Sequence, residues 1–444
     1  MDRTAKVFAG LDWGSAKSSL AIWDATLGRP QIVPASPGKA YVPARVAFQE
    51  ISRGGRRVVE PLFPLPDGWQ EDSNSLEFWE IKNHFAAFGD VDAQKAIARP
   101  VFDFWRRILG PNQTQLSVSV PLGYSWESSS TLSSAGSEAG FDRCEPVTEL
   151  LATVLAYLPY WQKDSTHWGN LEGARSVWVI DCGSRDLNLG LVLVQRRPRE
   201  VQQGPSRLDF ALLAADCLEG FGARCPDAGP ERVTAAVARS LPNLVKAAFE
   251  RSLPDWQGSK PEAKRADWIV CAGGGAHLAP AKDAVKTQLQ PLLGNSPLVW
   301  EKIPPTDVVA TGAAVHAAIL GGQLPIRIGV ARRWILGVRV ELPEDQNFIE
   351  ISWPDDEPPF DFERAFKVPG RAEKPVAITL SAALPGGDRF VSVCTFQIEP
   401  GQFLNSQDPV LLVAGHLEDW AQGTVCVREV NSGTKLYEKA FRLP

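Results

Sequence analysis

The polarity pattern of the chain is dominated by two similar runs. Residues 7–23 have strand-like apolar ends around a Gly- and Ser-containing centre, which predicts a hairpin with Asp12 at its tip. Residues 176–194 repeat that plan, with Asp181-Cys182-Gly183 at the tip. Two such hairpins predict a duplicated architecture, in which two similar lobes face one ligand. A Gly turn can aim backbone N–H groups at phosphate oxygens, and a carboxylate such as Asp12 can hold the waters of a Mg²⁺ ion.

Between the hairpins, residues 41–48 read as extended. Residues 75–85 put apolar side chains at helical spacing behind Ser75 as N-cap, with Lys82 on that short helix. Residues 101–110 predict an amphipathic helix stopped by Gly110 and Pro111, 115–121 a strand, and 133–140 a helix leading into a turn. Pro146 is suited to the first turn of an apolar helix over 147–160. Helical pattern follows at 208–221 and 230–253. Residues 268–278 then predict a buried strand entering the Gly273-Gly274-Gly275 turn, with a helix over 280–293 behind it, an arrangement that lets backbone approach a nucleotide closely. A small-residue helix over 307–320 can pack tightly behind such a loop. From Trp334 onward, short alternating runs between turn residues predict an antiparallel β-sandwich, with the boundary at 321–333.

Composition narrows the function classes. The 444 residues suffice for two to three domains, and 44% apolar with 22% charged residues is ordinary globular usage. A net charge of −6 gives no basic footprint, so no nucleic-acid partner is expected. No secretory h-region and no membrane-spanning apolar run are visible, which predicts a cytoplasmic protein without a membrane partner. The seven cysteines and five histidines are dispersed without zinc, triad or disulfide spacing.

The order of motifs resembles the DnaK family of seventy-kilodalton heat-shock chaperones over nearly the whole chain. Gly10-Leu11-Asp12-Trp13-Gly14-Ser15 is similar to the family's first phosphate loop, G-I-D-L-G-T. Val120-Pro121 through Glu145-Pro146-Val147-Thr148 resembles its V-P-A-Y-F to N-E-P-T-A-A passage. The stretch from Trp178 to Asn188 occupies the second phosphate loop, and Gly273 to Leu278 the adenosine loop G-G-S-T-R-I. Val309 to Val315 looks like the A-V-A-Y-G-A-A helix, and Gly423 to Val427 with Ser432 to Lys435 resembles the end of the family's peptide-binding β-sandwich.

The resemblance implies an α/β actin-like two-lobed nucleotide-binding domain, a duplicated ribonuclease H-like fold, over 1–325, with lobes of about 1–175 and 176–325. A β-sandwich resembling a peptide-binding domain without a lid follows over 331–444. It implies ATP or ADP with Mg²⁺ in the cleft. On the matching positions, Asp12 and Asp181 hold the waters of Mg²⁺, and Gly14 and Ser15 lie by the phosphates. Gly183, Gly273, Gly274 and Gly275 line the nucleotide. Lys82 orients the attacking water, and Glu145 joins the metal shell, completing a catalytic set with Asp181.

Several positions depart from the family pattern. The second loop reads Gly183-Ser184-Arg185-Asp186 where the family has G-G-G-T. Non-Gly residues at positive φ cost about 1–2 kcal/mol each. A carboxylate about 4 Å from phosphate costs about 4 kcal/mol at an effective dielectric near 20. Asn188 replaces a family Asp, and His277 stands where an adenine-stacking Arg is expected. The interval from Asp181 to Gly273 lacks a recognisable adenine wall, and residues 323–330 replace the family's acidic, Leu-rich linker. These departures favour a divergent chaperone-like protein with weak or lost ATP binding, acting as an interaction scaffold for a protein partner or extended peptide, with a hetero-oligomer as the assembly this reading allows. The alternative is an active DnaK-like ATPase. An actin-like small-molecule kinase is a third reading.

Overall fold

The computed structural model describes residues 6–53, 56–66, 69–70, 75–88, 90–121, 124, 126–171, 175–197, 206–219, scattered positions between 231 and 244, 267–274, 287, 298–332, 335–341, 346–350, 360–367, 375–383, 390–399, 410–418 and 422–442. The first sheet opens with β1 (Val7–Trp13), β2 (Lys17–Asp24), β3 (Arg29–Val33) and β4 (Tyr41–Pro43), joined antiparallel through β2. Strands β5 (Arg45–Arg53), β6 (Arg56–Leu62) and β7 (Ser75–Trp79) make a small satellite sheet. The chain then returns, and β8 (Thr114–Val120) and β9 (Arg143–Thr148) extend the first sheet parallel to β1, giving the order β3-β2-β1-β8-β9.

The second sheet repeats the directions of the first. β10 (Arg175–Cys182) pairs antiparallel with β11 (Asp186–Arg197), which pairs antiparallel with β12 (Ser206–Glu219). β13 (Trp268–Ala272) and β14 (Leu298–Trp300) continue parallel on the other side of β10. β15 (Ile326–Arg332) adds a further strand parallel to β12. Asp12 and Asp181 therefore occupy equivalent places, each near the C-terminal end of the central strand of its sheet.

Seven helices are named among the described residues: α1 (Ile81–Ala87), α2 (Val91–Leu109), α3 (Trp126–Glu138), α4 (Glu149–Leu155), α5 (Leu158–Lys163), α6 (Ser165–Asn170) and α7 (Val308–Leu320). None is long and apolar enough to cross a membrane. Asp90 caps α2 by accepting from the Ala93 amide at 2.8 Å, and Gly110, at φ 72°, ends it. Ile97, Val101, Phe102 and Trp105 fall on one face of α2 and are buried against the first sheet, where Trp105 donates to Ser18 Oγ at 2.9 Å. Helix α7 is apolar all round and is accordingly enclosed on nearly every side. It crosses α4 so closely that a Cβ at Gly312 would lie 1.6 Å from the Ala152 carbonyl oxygen. His316 on the same helix lies 2.9 Å from Ser117 Oγ of β8.

Beyond β15, two four-stranded antiparallel sheets form the C-terminal part. One holds β16 (Ile335–Glu341), β17 (Gln346–Glu350), β19 (Val376–Ala383) and β20 (Phe390–Ile398). The other holds β18 (Phe360–Lys367), β21 (Val410–Leu417), β22 (Gln422–Glu429) and β23 (Lys435–Arg442). Alternate residues from both, among them Val376, Ile378, Leu380, Leu411, Val413, Val425 and Val427, share one buried cluster, and Phe396 meets Tyr437 at 5.7 Å between ring centroids. This is the packing of a β-sandwich.

Four sequence expectations are corrected. Residues 208–221 read as helix, yet 206–219 form β12, because the sheet needs a third antiparallel strand and pairing overrides the helix propensity of the Ala- and Leu-rich run. Residues 75–79 are strand rather than helix, and the helix carrying Lys82 begins only at Ile81. Pro146 lies in β9 at the sheet edge, where a missing N–H is tolerated, and the expected helix over 147–160 is broken into α4 and α5. The expected join at 323–330 is largely strand, since Ile326–Arg332 pairs with β12. Gly275, His277 and nearly all of the expected helix over 280–293 lie outside the described residues, as does much of 230–253.

Candidate functional site

Four charged side chains converge from four elements. Asp12 is next to last in β1, Lys82 sits in the first turn of α1, Glu149 begins α4, and Asp181 is near the end of β10. The Lys82 ammonium donates to the Glu149 carboxylate, and both are almost fully buried. Tyr124 fixes the same turn from beneath, with its hydroxyl 2.6 Å from the Lys82 carbonyl and its ring 5.6 Å from that of Phe85.

Burial and crowding of like charge set the electrostatics. Burial is the main reason that the Asp12 carboxyl is pushed up to about 6; Glu149 adds to the shift, while Lys17, Lys82 and a Ser119 hydrogen bond oppose it. Asp181 is pushed up to about 7, again chiefly by burial, with Glu149 and Asp12 adding and Lys82 and Asn188 opposing. Asn188 Nδ2 lies 3.5 Å from Asp181 Oδ2. Burial alone would lower Lys82, but Glu149, Asp181 and Asp12 outweigh it and hold the ammonium above its ordinary value. Lys17 donates to the Thr306 carbonyl at 2.7 Å, tying the first hairpin to the turn before α7.

Glu145, expected in the metal shell, is not part of this cluster. It is half-exposed on β9 and bonded to Arg143 at 2.7 Å. Its place beside Lys82 is taken by Glu149, which the sequence reading missed. The usable signal was polarity: Glu149 is the one charged residue in the apolar run 147–158. A carboxylate in a buried helix requires a cationic partner.

The hairpin tips flank the cluster. Gly14 permits a tight turn, since a Cβ there would meet the Lys17 carbonyl oxygen at 2.5 Å, and Ser15 follows it half-buried. At the second tip, Gly183 N–H donates to the Asp186 carbonyl at 2.9 Å. The strain expected at Ser184, Arg185 and Asp186 is not present, because Glu80, at φ 51°, is the one non-glycine residue with positive φ among the described residues. Gly273 takes φ 82°, and a Cβ there would fall 2.8 Å from Asp181 Oδ1, whereas Gly274 faces open space. Arg185 reaches from the second tip to Glu80, just ahead of α1, at 3.0 Å.

Among the described residues no three His, Cys, Asp or Glu side chains form a group that would hold a metal ion. Three buried carboxylates nevertheless gather around the Lys82 ammonium, with Lys17 also acting on Asp12. That surplus negative charge fits a hydrated divalent cation held through its waters by Asp12 and Asp181.

These features define a mixed α/β protein, rich in sheet, with a buried acidic site carried by two sheets of one plan and a β-rich C-terminal part. The chain is similar to a Chaperone protein dnaK from Cyanidioschyzon merolae, 24% identical over 393 residues, a match that takes in 72% of this chain. It is a distant, family-level likeness, and the chain spans 63% of the length of that relative. No family model matches the chain.

Proposed function

We propose that the chain is a DnaK-like, chaperone-related protein that binds a Mg²⁺–nucleotide between its two like sheets and uses the bound state to regulate contact with a protein partner or extended peptide. The observation that carries this reading is the convergence of Asp12, Lys82, Glu149 and Asp181 from β1, α1, α4 and β10. Random surface charge does not collect four ionisable groups in a buried site, and such clusters mark function. In this reading the nucleotide-binding part runs to the end of β15, and the sandwich follows.

The roles follow from the chemistry of each group. Asp12 and Asp181 would hold a hydrated Mg²⁺, which supplies charge neutralisation for phosphate oxygens. Lys82, kept protonated by Glu149, orients a water by donating to it. Glu149 fixes that ammonium and can accept a proton. The N–H groups of the Gly14 and Gly183 turns are donors for phosphate. Loop departures at 184–186 give a weaker argument against binding than the sequence suggests, since none of those residues takes positive φ.

Isothermal titration with Mg-ATP and Mg-ADP tests the reading, with Asp12→Ala as control. Micromolar binding that the control abolishes supports it; no heat and no thermal shift at millimolar nucleotide overturns it. A second reading, a nucleotide-independent scaffold, is favoured by one observation. Val59 and Leu76 of the satellite sheet are 63% and 55% exposed, an apolar display suited to a protein contact.

A further inference from the structure

The Arg185–Glu80 pair is the feature of the site that its chemistry leaves unused. Arg185 sits at the tip between β10 and β11, four residues after Asp181, and Glu80 immediately precedes the helix that carries Lys82. Their 3.0 Å contact therefore joins the two halves of the site at its rim, where Arg185 is 53% and Glu80 27% exposed. Glu80 is held at φ 51° and ψ 52°, a left-handed conformation that disfavours side chains other than Asn, Asp and Gly. Such a conformation persists only where surrounding contacts hold it, and it sets the direction in which α1 starts.

We propose that Arg185 and Glu80 form a clasp across the rim of the acidic site, which gates the passage of its ligand and positions α1, with Lys82, against Glu149. This rests on the reading of the site as a nucleotide cleft and adds its regulation. Opening the clasp requires breaking the Arg185–Glu80 ion pair, so ligand association and release are both slowed while the equilibrium affinity is left almost unchanged. The two residues are positioning residues. A contact made to the ligand itself would act on release alone.

The test is stopped-flow binding of a fluorescent Mg-ADP analogue to the full chain, in the wild type, Glu80→Gln, Arg185→Gln and the double variant. Each single change is expected to raise association and release together by about two- to fivefold, with the double variant no faster than either single. High salt should bring the wild type to the speed of the variants. Unchanged rates, additive effects, or a change in release alone overturn the clasp. If the wild type binds no nucleotide, the cleft reading fails on its own, and hydrogen exchange over residues 81–87 decides the clasp. Faster exchange in both single variants supports it, and unchanged exchange overturns it.

Discussion

Lys82 is the residue on which the charge balance of the site turns. It is the single ammonium bonded to Glu149, and it lowers the shifts of both Asp12 and Asp181. Removing one member of a buried ion pair strands the other charge. Lys82→Met is therefore expected to destabilise the protein by roughly 3–5 kcal/mol, and adding Glu149→Gln should recover much of that loss. Urea unfolding of the two singles and the double checks it, and a double variant as unstable as the sum of the singles refutes the pairing.

The two aspartates give the site a pH signature with a definite sign. Asp12 and Asp181 are raised from 3.8 to about 6 and about 7, so the folded chain holds protons that the unfolded chain has released. Their contribution to stability is complete below the unfolded value and is lost as pH rises through the folded ones. A divalent cation reverses this, because it favours the ionised carboxylates. Mg²⁺ alone is expected to raise the melting temperature at about pH 8 and to do little at about pH 5, as measured by thermal denaturation. At this scale the sequence was half legible. Asp12 and Asp181 stand at hairpin tips that local polarity reveals. Glu149 does not: its partner lies 67 residues away, and the nearby Glu145-Pro146 pair, which resembles the family motif, carries a half-exposed carboxylate instead.

At the scale of elements, the crossing of α4 and α7 sets how closely the two sheets can approach. Gly312 sits against the Ala152 carbonyl, where an added Cβ has no room. Gly312→Ala must push the helices apart and is expected to cost at least about 1–3 kcal/mol. Gly274→Ala meets nothing within 4 Å and should leave stability within about 0.5 kcal/mol, yet weaken nucleotide binding if the ligand lies over that turn. Urea melts and titration of the two variants separate packing from ligand contact. Small residues in 307–320 made this helix readable as a close-packing one. Strand β12 was unreadable, because the run 208–219 has good helix formers and only its pairing with β11 and β15 makes it extended. Helix α2 was read short for a similar reason. Pro100 signals a stop, yet it falls inside a helix whose Asp90 cap lies ten residues earlier.

At the scale of the molecule, two sheets of like strand direction were legible from the two hairpins alone, since each carries the antiparallel half of its sheet within about twenty residues of chain. The partner of 326–332 was not, because the alternation of Ile326, Ile328 and Val330 with Arg327 and Gly329 marks a strand without saying which sheet takes it, and β12 recruits it from more than a hundred residues away. Its place has a consequence for any fragment. With β15 absent, β12 becomes an unpaired edge and the buried Ile326 side chain is removed. A fragment ending at residue 325 should therefore melt several degrees below one ending at 332, and aggregate more readily through the exposed edge of β12. Circular dichroism melts and light scattering of the two fragments decide the point. Equal melting temperatures would mean that β15 belongs energetically to the sandwich, and that the N-terminal part ends at 325, as the resemblance implies.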